Sequence, residues 1–440
     1  MLTSVSYREQ FYKPLSSCRD DLTFACDGEV YNYGEIRENL AEHKFKTDSS
    51  YEVILHLIEE NSSKNLLEAV KISLSQIDSV YSFAVTKNNE TVVARDPLGV
   101  KPMYIGENND IFAVASERKA LWSISIKKVQ SFPPGHLARI VKGRCKFYKF
   151  NTLRRPRIRK MNAETAAHTL QKALYGAVEK RIKNIDKIGV AFSGGIDSSV
   201  VAKIASDLGG NVALYTVGLE GSHDISVAKD AASLLGCELS IKILKPGDLE
   251  KYIAKVVYAV EATDEVMISA GLPLYVVAKY ANSQGMKTIL SGQGSDELFG
   301  GYTRYLNILK KGDYSGLQNS LWRDLTLLYE KILQRDDAVS MASGVELSFP
   351  YLDINVIKTA AAIPPSLKIN GVEDELRKII LRSVGKRIGL PPEITTRQKK
   401  AVQYGSGVDK AMKTIARKLG YSSVRNYLES IFNTQFHQLS

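Results

Sequence analysis

The chain has 440 residues and a formal net charge of +11, with 44% hydrophobic and 24% charged residues. This balance is typical of a soluble globular protein and excludes a disordered or fibrous chain. Because no apolar run is long enough to span a bilayer and no apolar segment follows a basic start, we expect a cytoplasmic protein without a membrane span or leader. The length predicts two or three domains.

The distribution of charged residues and cysteines indicates which ligands and cross-links the chain is suited to. Lys and Arg are mostly interleaved with Asp and Glu, so the sequence does not favour a nucleic-acid partner. One basic run, 154–160, is interpreted as part of a solvated interdomain linker over 151–162. The overall positive charge suits anionic small-molecule substrates. The four cysteines, at 18, 26, 145 and 237, lack metal-ligand spacing and are predicted to be free thiols.

Residues 1–150 predict an α+β domain of layered antiparallel sheets. Short apolar segments bounded by turn-forming residues predict strands at Leu22–Cys26, Ser82–Thr86, Thr91–Ala94, Met103–Ile105, Ile111–Ala115 and His136–Ile140. Helical patterns intervene at Tyr33–Glu42, Tyr51–Glu60 and Glu117–Trp122.

Residues 163–440 predict an α/β domain with a doubly wound parallel sheet. Strands at about 187–191, 213–219, 238–244 and 287–290 alternate with helices at 163–183, 225–235, 248–260 and 273–284, and the part after Tyr302 is mostly helical. Ligands of such sheets bind beyond the carboxyl ends of the strands.

The stretch KIGVAFSGGIDSSV, residues 187–200, predicts a strand, a tight glycine turn and the start of a helix. Backbone N–H groups at a helix start attract anions, and Gly194 and Gly195 let a phosphate approach closely. Asp197 would repel a bare phosphate, so its presence favours a bridging divalent cation. The loop is not a Walker A motif, and taken alone an ordinary strand-to-helix turn remains an alternative.

A second loop, SGQGSDELFGGY at 291–302, again follows an apolar strand and again combines small donors with a carboxylate. Two such loops in one parallel sheet favour a nucleotide site. Asp197 and Asp296, on neighbouring strand ends, are predicted to share Mg²⁺.

These motifs resemble those of the glutamine-hydrolysing asparagine synthetase family. SGGIDSS is similar to the pyrophosphate loop of ATP pyrophosphatases, and SGQGSDELFGGYTRY, GVELSFPYLD and TRQKK resemble later blocks of the family. In the first 150 residues, CDGEVYNYGEIRENL and ARDPLGVKPMYIG resemble the family's Ntn-type, class II glutamine amidotransferase half. The resemblance covers nearly the whole chain.

The resemblance implies an ATP- and Mg²⁺-dependent ligase. A carboxylate, typically that of aspartate, forms an acyl-adenylate with release of pyrophosphate, and ammonia then displaces AMP. A homodimer is also possible for such a chain. The implied nucleotide-binding residues are Phe192, Ser193, Gly194, Gly195, Asp197, Ser198, Val217, Ser291 and Gly292. The implied metal ligands are Asp197 and Asp296, and Lys399 is the implied cation on the transferred phosphate.

The amidotransferase half departs from the family pattern. Leu2 stands where the family has its nucleophilic cysteine, and an N-terminal block is expected to be missing. Asp27 replaces the oxyanion-hole Asn, and Ser50 replaces the Asp that binds the glutamine amine. Neither Cys18 nor Cys26 presents a free α-amine, so both are predicted to be small buried hydrophobes. We therefore expect an inactive glutaminase site.

The synthetase half departs at two positions beside the acceptor. Gln293 replaces a Glu implicated in proton handling, and Ser348 replaces a common Arg. Gln is not an acid or base, so Glu346 is the candidate for that role. Two alternatives to aspartate amidation follow: amide or lactam formation on another carboxylate, and a non-catalytic ATP-binding homologue.

Overall fold

The computed structural model describes residues 14–109, 111–398 and 407–437 and divides them into two compact units. Of these residues, the first unit contains 14–109, 111–153, 332–337 and 436–437, and the second contains 154–331, 338–398 and 407–435. None of the described helices is long and apolar enough to cross a bilayer.

The first unit is built on two antiparallel sheets. A six-stranded sheet has the order β1-β2-β3-β4-β8-β9, and a three-stranded sheet has the order β6-β5-β7. The strands are β1 Leu15–Ser16, β2 Thr23–Val30, β3 Ser79–Lys87, β4 Glu90–Arg95, β5 Tyr104–Glu107, β6 Phe112–Ala115, β7 Val129–Ser131, β8 His136–Val141 and β9 Arg144–Lys149. The helices are α1 Tyr33–Asn39, α2 Glu52–Glu60, α3 Leu66–Leu74 and α4 Arg118–Trp122.

Strand alternation produces the layers of this unit. Phe83 and Val85 of β3 pack into the core with α2 and α3, whereas Ala84 between them packs with Ile105 of β5 and with Met103, which precedes β5. One face of the larger sheet therefore packs on helices and the other on residues of the smaller sheet. This confirms the predicted α+β layered architecture.

The second unit is built around a five-stranded parallel sheet with the order β12-β11-β10-β13-β14. Its strands are β10 Lys187–Ala191, β11 Asn211–Leu219, β12 Glu238–Leu244, β13 Thr288–Leu290 and β14 Glu346–Ser348. Helix α5 Ala163–Ile182 precedes this sheet. The helices that connect its first four strands are α6 Ile196–Asp207, α7 His223–Leu235, α8 Pro246–Val260 and α9 Glu265–Ser283. The doubly wound parallel sheet predicted from the sequence is confirmed.

The rest of the second unit is mostly helical, as predicted. Its helices are α10 Ser295–Phe299, α11 Arg304–Lys311, α12 Tyr314–Thr326, α14 Ile354–Ala362, α15 Ile379–Arg387, α16 Pro392–Thr395, α17 Val408–Lys418 and α18 Val424–Phe436, and α13 spans Gln334–Met341 at the unit boundary. A π-helical turn at Tyr329–Leu333 and two 3₁₀ turns, Pro350–Leu352 and Pro365–Leu367, complete the fold.

The start of α9 differs from its predicted position at Pro273. The helix begins at Glu265, where the Asp264 carboxylate accepts hydrogen bonds from the N–H groups of Val266 and Met267. Pro273 lies inside the helix and is buried. Proline is common in the first helical turn, which is why the sequence favoured the later start.

Candidate active site

Neighbouring parallel strands bring the two predicted loops to one edge of the sheet. Val190 of β10 is level with Leu290 of β13, which in turn is level with Ser348 of β14. Just beyond the strands, the Phe192 N–H donates to the Tyr215 carbonyl (2.8 Å) and the Ser291 N–H donates to the Ser348 carbonyl (2.9 Å). These bonds hold the starts of both loops against neighbouring strands.

The first loop has the geometry of an anion site. Gly194 adopts φ +72°, and a Cβ there would lie 2.6 Å from the Val227 carbonyl oxygen, so only glycine fits. The Ser193 N–H donates to Ser198 Oγ (3.3 Å), and Gly195 is the N-terminal cap of α6. The loop therefore gathers backbone N–H groups and the hydroxyls of Ser193 and Ser198 at the start of α6, where a phosphate would find hydrogen-bond donors.

The second loop packs directly against the first. A Cβ on Gly292 would lie 3.0 Å from Asp197 Cβ and 3.1 Å from the Ser198 nitrogen, so the absence of a side chain permits this close approach. The Gln293 N–H donates to Ser291 Oγ (3.3 Å), a self-contained turn at the start of the loop. The structure thus brings Ser193–Ser198 and Ser291–Gln293 together at one edge of the parallel sheet.

A buried lysine joins the carboxylates of both loops. Lys378 Nζ lies 2.6 Å from both carboxylate oxygens of Asp197 and 2.5 Å from Asp296 Oδ1, and it also donates to Ser295 Oγ (2.8 Å). Its side chain is only 1% exposed. A Cβ on Gly301 would collide with Asp296 Oδ1 and Lys378 Cε, so this cluster also requires that glycine.

Sequence reasoning missed Lys378. It stands in ELRKIILRSV, a basic segment that looks like a solvated helix start, yet Arg377, Lys378 and Arg382 are all at least nine-tenths buried. The feature that marks these residues is their backbone conformation, because Arg377 and Lys378 both adopt φ +53°, which is uncommon for residues with large side chains. This backbone geometry is not readable from residue types.

The carboxylates fit the divalent cation predicted for them. Asp197 and Asp296 approach the same cationic atom within ion-pair distance, which shows that one positive centre can contact both. Carboxylate oxygens are preferred Mg²⁺ ligands, and Mg²⁺ usually takes only one or two of them besides phosphate and water. In the structure described here the shared cation is the Lys378 ammonium.

Three further residues singled out from the sequence, Val217, Glu346 and Ser348, lie on strands of the parallel sheet. Val217 is buried in β11, next to β10 in the sheet. Glu346 begins β14 level with Thr288, so its backbone lies two residues before the loop edge, whereas Ser348 reaches that edge. The Ser348 hydroxyl is buried and makes no hydrogen bond within the described part of the chain.

Lys399 lies outside the described residues, but the segment leading to it is placed. Arg397 Nη1 donates to the carbonyls of Gly194 (3.1 Å) and Val227 (3.3 Å), and the Gln398 amide donates to Glu375 (2.7 Å). Arg397 of the TRQKK motif is therefore attached to the first loop, and Gln398 is attached to Glu375.

Glu297 is a buried residue of α10, which lies within the second loop. Its carboxylate accepts a hydrogen bond from the Tyr302 hydroxyl (2.6 Å), and burial raises its pKa despite that bond and nearby cations. The same burial, with the Glu297 charge, raises the pKa of Tyr302. This pair stabilises the loop structure around α10.

In the first unit, the two substituted amidotransferase positions are held by other groups. The Asp27 carboxylate lies 3.0 Å from Lys101 Nζ, and Ser50 Oγ accepts a hydrogen bond from the Val30 N–H (3.1 Å). Cys26 is buried, as predicted, and burial raises the pKa of its thiol well above the usual value. None of the four cysteines, all of which lie in the described part of the chain, forms a disulfide.

The prediction that Cys18 is buried was wrong. The residue is exposed, and its sulfur lies near the rings of His43 and His56. Cys18 follows the two-residue strand β1, whose short pairing with β2 leaves the turn between them at the surface.

Comparisons with known proteins cover both units. The asparagine synthase family model matches residues 169–317 and 309–438, and a glutamine amidotransferase domain model matches 4–123. A putative glutamine-hydrolysing asparagine synthetase of Methanocaldococcus jannaschii is 36% identical, over 94% of this chain and 83% of its own. A glutamine-hydrolysing asparagine synthetase of Brassica oleracea is 33% identical, over 90% of this chain and 68% of its own.

Among solved structures, a glutamine phosphoribosylpyrophosphate amidotransferase from B. subtilis matches 52% of this chain and 48% of its own, with 22% identity and a TM-score of 0.30. That likeness is too weak to add to the sequence relationship. The family model spans more than half of the chain, and the Methanocaldococcus protein matches it nearly end to end. On this evidence the chain belongs to the asparagine synthetase family of ATP-dependent, amide-forming carbon–nitrogen ligases.

Proposed function

We propose that the second unit activates the side-chain carboxylate of aspartate as an acyl-adenylate, with release of pyrophosphate, and that ammonia then forms the amide. The observation that carries this proposal is the contact of the two loops, in which Gly292 packs on Asp197 and Ser198. One crevice thereby combines backbone donors for phosphate with two carboxylates for a cation.

The roles of the chain's residues follow from charge and position. Ser193, Gly194, Gly195 and Ser198 would hold the pyrophosphate part of ATP, while Ser291 and Gly292 would contact the adenylate. Asp197 and Asp296 would hold Mg²⁺, which neutralises phosphate charge when bound. Lys378 keeps both carboxylates in place, and Lys399, two residues after Arg397, would stabilise the transferred phosphate.

Phosphoryl-type transfer needs positioning and charge stabilisation more than covalent work by the protein, and this site offers both. Phe192 and Val217 would contact the nucleotide through their backbones. Gln293 lies in the second loop as a hydrogen-bonding group, and the proton-handling role of Glu346 remains a prediction.

The test is pyrophosphate release from ATP, measured with aspartate and ammonium and followed by mass spectrometry of the products. Asp197→Ala should reduce release at least about 100-fold, because it removes one of two carboxylates for the cation. Asp207→Ala is the matched control: Asp207 ends the same helix, α6, and pairs with Lys203 on the surface. Equal loss in both variants, or asparagine formation by Asp197→Ala, would contradict the site.

A second carboxylate acceptor is a real alternative because of Ser348. Its buried hydroxyl stands at the loop edge with no hydrogen-bond partner in the described residues, at a position where the family commonly has Arg. A substrate polar group could bond to it. Pyrophosphate release that depends on another carboxylate, without asparagine among the products, would favour this alternative.

We also propose that the first unit does not hydrolyse glutamine. Asp27 offers a carboxylate, already paired with Lys101, where the reaction needs a donor to an oxyanion, and Ser50 bonds to the backbone of β2. Ammonium should therefore support amide formation and glutamine should not. Steady glutamate release from glutamine by the purified chain would refute this.

A further inference from the structure

A cluster of four ligand-type side chains lies in the first unit and has no part in the proposed reaction. Cys18, His43, His56 and Glu59 each direct one sulfur, nitrogen or oxygen atom to a common centre, and all four atoms lie within 4.8 Å of one another. We call this group the Cys18 cluster. His56 and Glu59 are fully buried, and the His43 side chain is 9% exposed.

Four of the six distances between these atoms lie close to the edges of a metal-centred tetrahedron. Cys18 Sγ lies 3.6 Å from His43 Nδ1 and 3.8 Å from His56 Nδ1. Glu59 Oε2 lies 3.2 Å from His43 Nδ1 and 3.3 Å from His56 Nδ1. Ordinary Zn–N, Zn–O and Zn–S bond lengths give tetrahedral edges of about 3.3 Å between nitrogen and oxygen and about 3.5 Å between nitrogen and sulfur.

A hydrogen-bonded cluster without metal fits less well. N–H···O bonds are roughly 2.7–3.2 Å long, so the nitrogen–oxygen distances of 3.2 and 3.3 Å lie at the long end of that range. Glu59 Oε2 already accepts the Cys18 N–H at 3.0 Å. The distances from the two Nδ1 atoms to Glu59 Oε2 are those expected between ligands of one metal ion.

The outer nitrogens of both rings have the partners that metal-bound histidines usually have. His56 Nε2 lies 3.4 Å from Glu52, and His43 Nε2 lies 2.7 Å from Glu60. A carboxylate on the outer nitrogen fixes the tautomer and leaves Nδ1 free to bind metal. The thiol has a similar support, since the Lys44 N–H donates to Cys18 Sγ at 3.3 Å.

The fold explains why these residues meet. His56 and Glu59 stand three residues apart on α2, on one face of the helix, and α2 lies against the short strand β1 that precedes Cys18. His43 follows α1 and lies above the same helix face, with its ring 4.8 Å from that of His56. Three separate segments thus converge on one point.

We propose that Cys18, His43, His56 and Glu59 bind one Zn²⁺ ion in a structural site. The thiolate and imidazole ligands favour Zn²⁺ over Mg²⁺ or Ca²⁺, which take oxygen ligands. Four protein ligands fill a tetrahedral coordination sphere, as in structural zinc sites. The ion ties the β1–β2 turn and the segment after α1 to α2, and it is independent of the synthetase crevice.

The test uses tag-free full-length protein, stripped of metal with a chelator and dialysed against Zn²⁺ or Co²⁺. Wild-type protein should retain a stoichiometric equivalent of zinc and, with Co²⁺, show the near-ultraviolet thiolate-to-cobalt charge-transfer band of a tetrahedral site. Cys18→Ser should lose this band and retain zinc weakly. Glu60→Gln, which removes the exposed carboxylate beside His43 Nε2, should weaken zinc affinity about 10- to 100-fold.

Cys145→Ser is the matched control, because Cys145 is a half-buried thiol on β9 of the same unit, outside the cluster. It should bind zinc like wild type. A measurement on unaltered protein guards against misfolded variants: Zn²⁺ should slow alkylation of Cys18 by iodoacetamide, read by peptide mass spectrometry, without protecting Cys145. Failure of wild type to retain zinc, or equal alkylation with and without zinc, would overturn the proposal.

Discussion

Lys378 shows how one residue sets the electrostatics of the candidate site. Its buried ammonium contacts the partly exposed Asp197 and Asp296 carboxylates, which would otherwise carry like charges without a shared counter-ion. Breaking a buried ion pair costs more than a surface pair, because the remaining charge has lost both water and its partner. The lysine therefore stabilises the geometry that the bound cation needs.

Lys378→Met should lower the free energy of unfolding by about 3–5 kcal/mol, since two carboxylates lose their shared cation. Mg²⁺ should recover part of this loss by supplying positive charge to both carboxylates. Urea unfolding with and without MgCl₂, at constant ionic strength, measures both effects. Lys203→Met is the control, because Lys203 pairs only with Asp207 on the surface of α6. Equal Mg²⁺ responses of the two variants would contradict the arrangement.

Lys368 is a buried lysine that should make the stability of the protein depend on pH. It is 3% exposed, and burial lowers its pKa to about 7. Between pH 7 and the usual lysine value of 10.5 the unfolded chain binds more protons than the folded chain, so stability rises with pH across this window.

Lys368→Met should therefore stabilise the protein, on the order of 4 kcal/mol at pH 7 and below, with a gain that shrinks as pH approaches 10. Urea unfolding of both proteins at pH 6.5, 8 and 9.5, values chosen about the shifted pKa, measures the difference. A gain that is constant with pH would show that packing, and not the charge, causes it.

At the scale of elements, Asp353 links α14 to α5. Its carboxylate caps α14 by accepting the Asn355 N–H (2.9 Å), lies 3.0 Å from Arg181 Nη1, and also pairs with Lys180. Burial opposes ionisation, but Arg181 and Lys180 lower the pKa of Asp353 below its usual value. Its stabilising effect is therefore present above pH 3.8 and is lost as pH falls through the lowered value.

Asp353→Ala should destabilise the second unit by about 3–5 kcal/mol, because it removes the helix cap and leaves Arg181 buried without its carboxylate. Asp353→Asn should cost less, since the amide oxygen still caps α14. Urea unfolding at pH 7 ranks the two variants. An Asn variant as unstable as the Ala variant would assign the whole effect to the ion pairs.

At the scale of the whole molecule, the two units have their own cores and carry separate chemistry. The phosphate loops and Lys378 belong to the second unit, and the Cys18 cluster belongs to the first. Ligand effects should therefore map to different parts of the chain, because each ligand stabilises the backbone that holds it.

Hydrogen exchange followed by mass spectrometry tests this separation. ATP with Mg²⁺ should slow exchange in peptides covering 187–200 and 288–300, and Zn²⁺ should slow it in peptides covering 15–30 and 43–60. Asp197→Ala should lose the first response and keep the second. Slower exchange at 43–60 on ATP addition alone would show that the two sites are coupled.

Much of the fold could be predicted from residue patterns. Alternating apolar strands and amphipathic helices are local signals, so the parallel sheet and the layered antiparallel sheets follow from the sequence. The short strands β1, β7 and β14 were not predicted, since two or three residues carry little periodicity and depend on pairing with distant strands. The six-residue strand β9 and the nine-residue helix α3 were not predicted either.

The sequence alone determined the two serine-glycine-aspartate loops and the family, because those residue types at those spacings have few other uses. Only the tertiary structure decided what completes the sites. Lys378 reaches Asp197 across 181 positions, and Cys18 meets His56 across 38. Contacts between distant positions depend on how strands pair and helices pack, and no local pattern of residues encodes them.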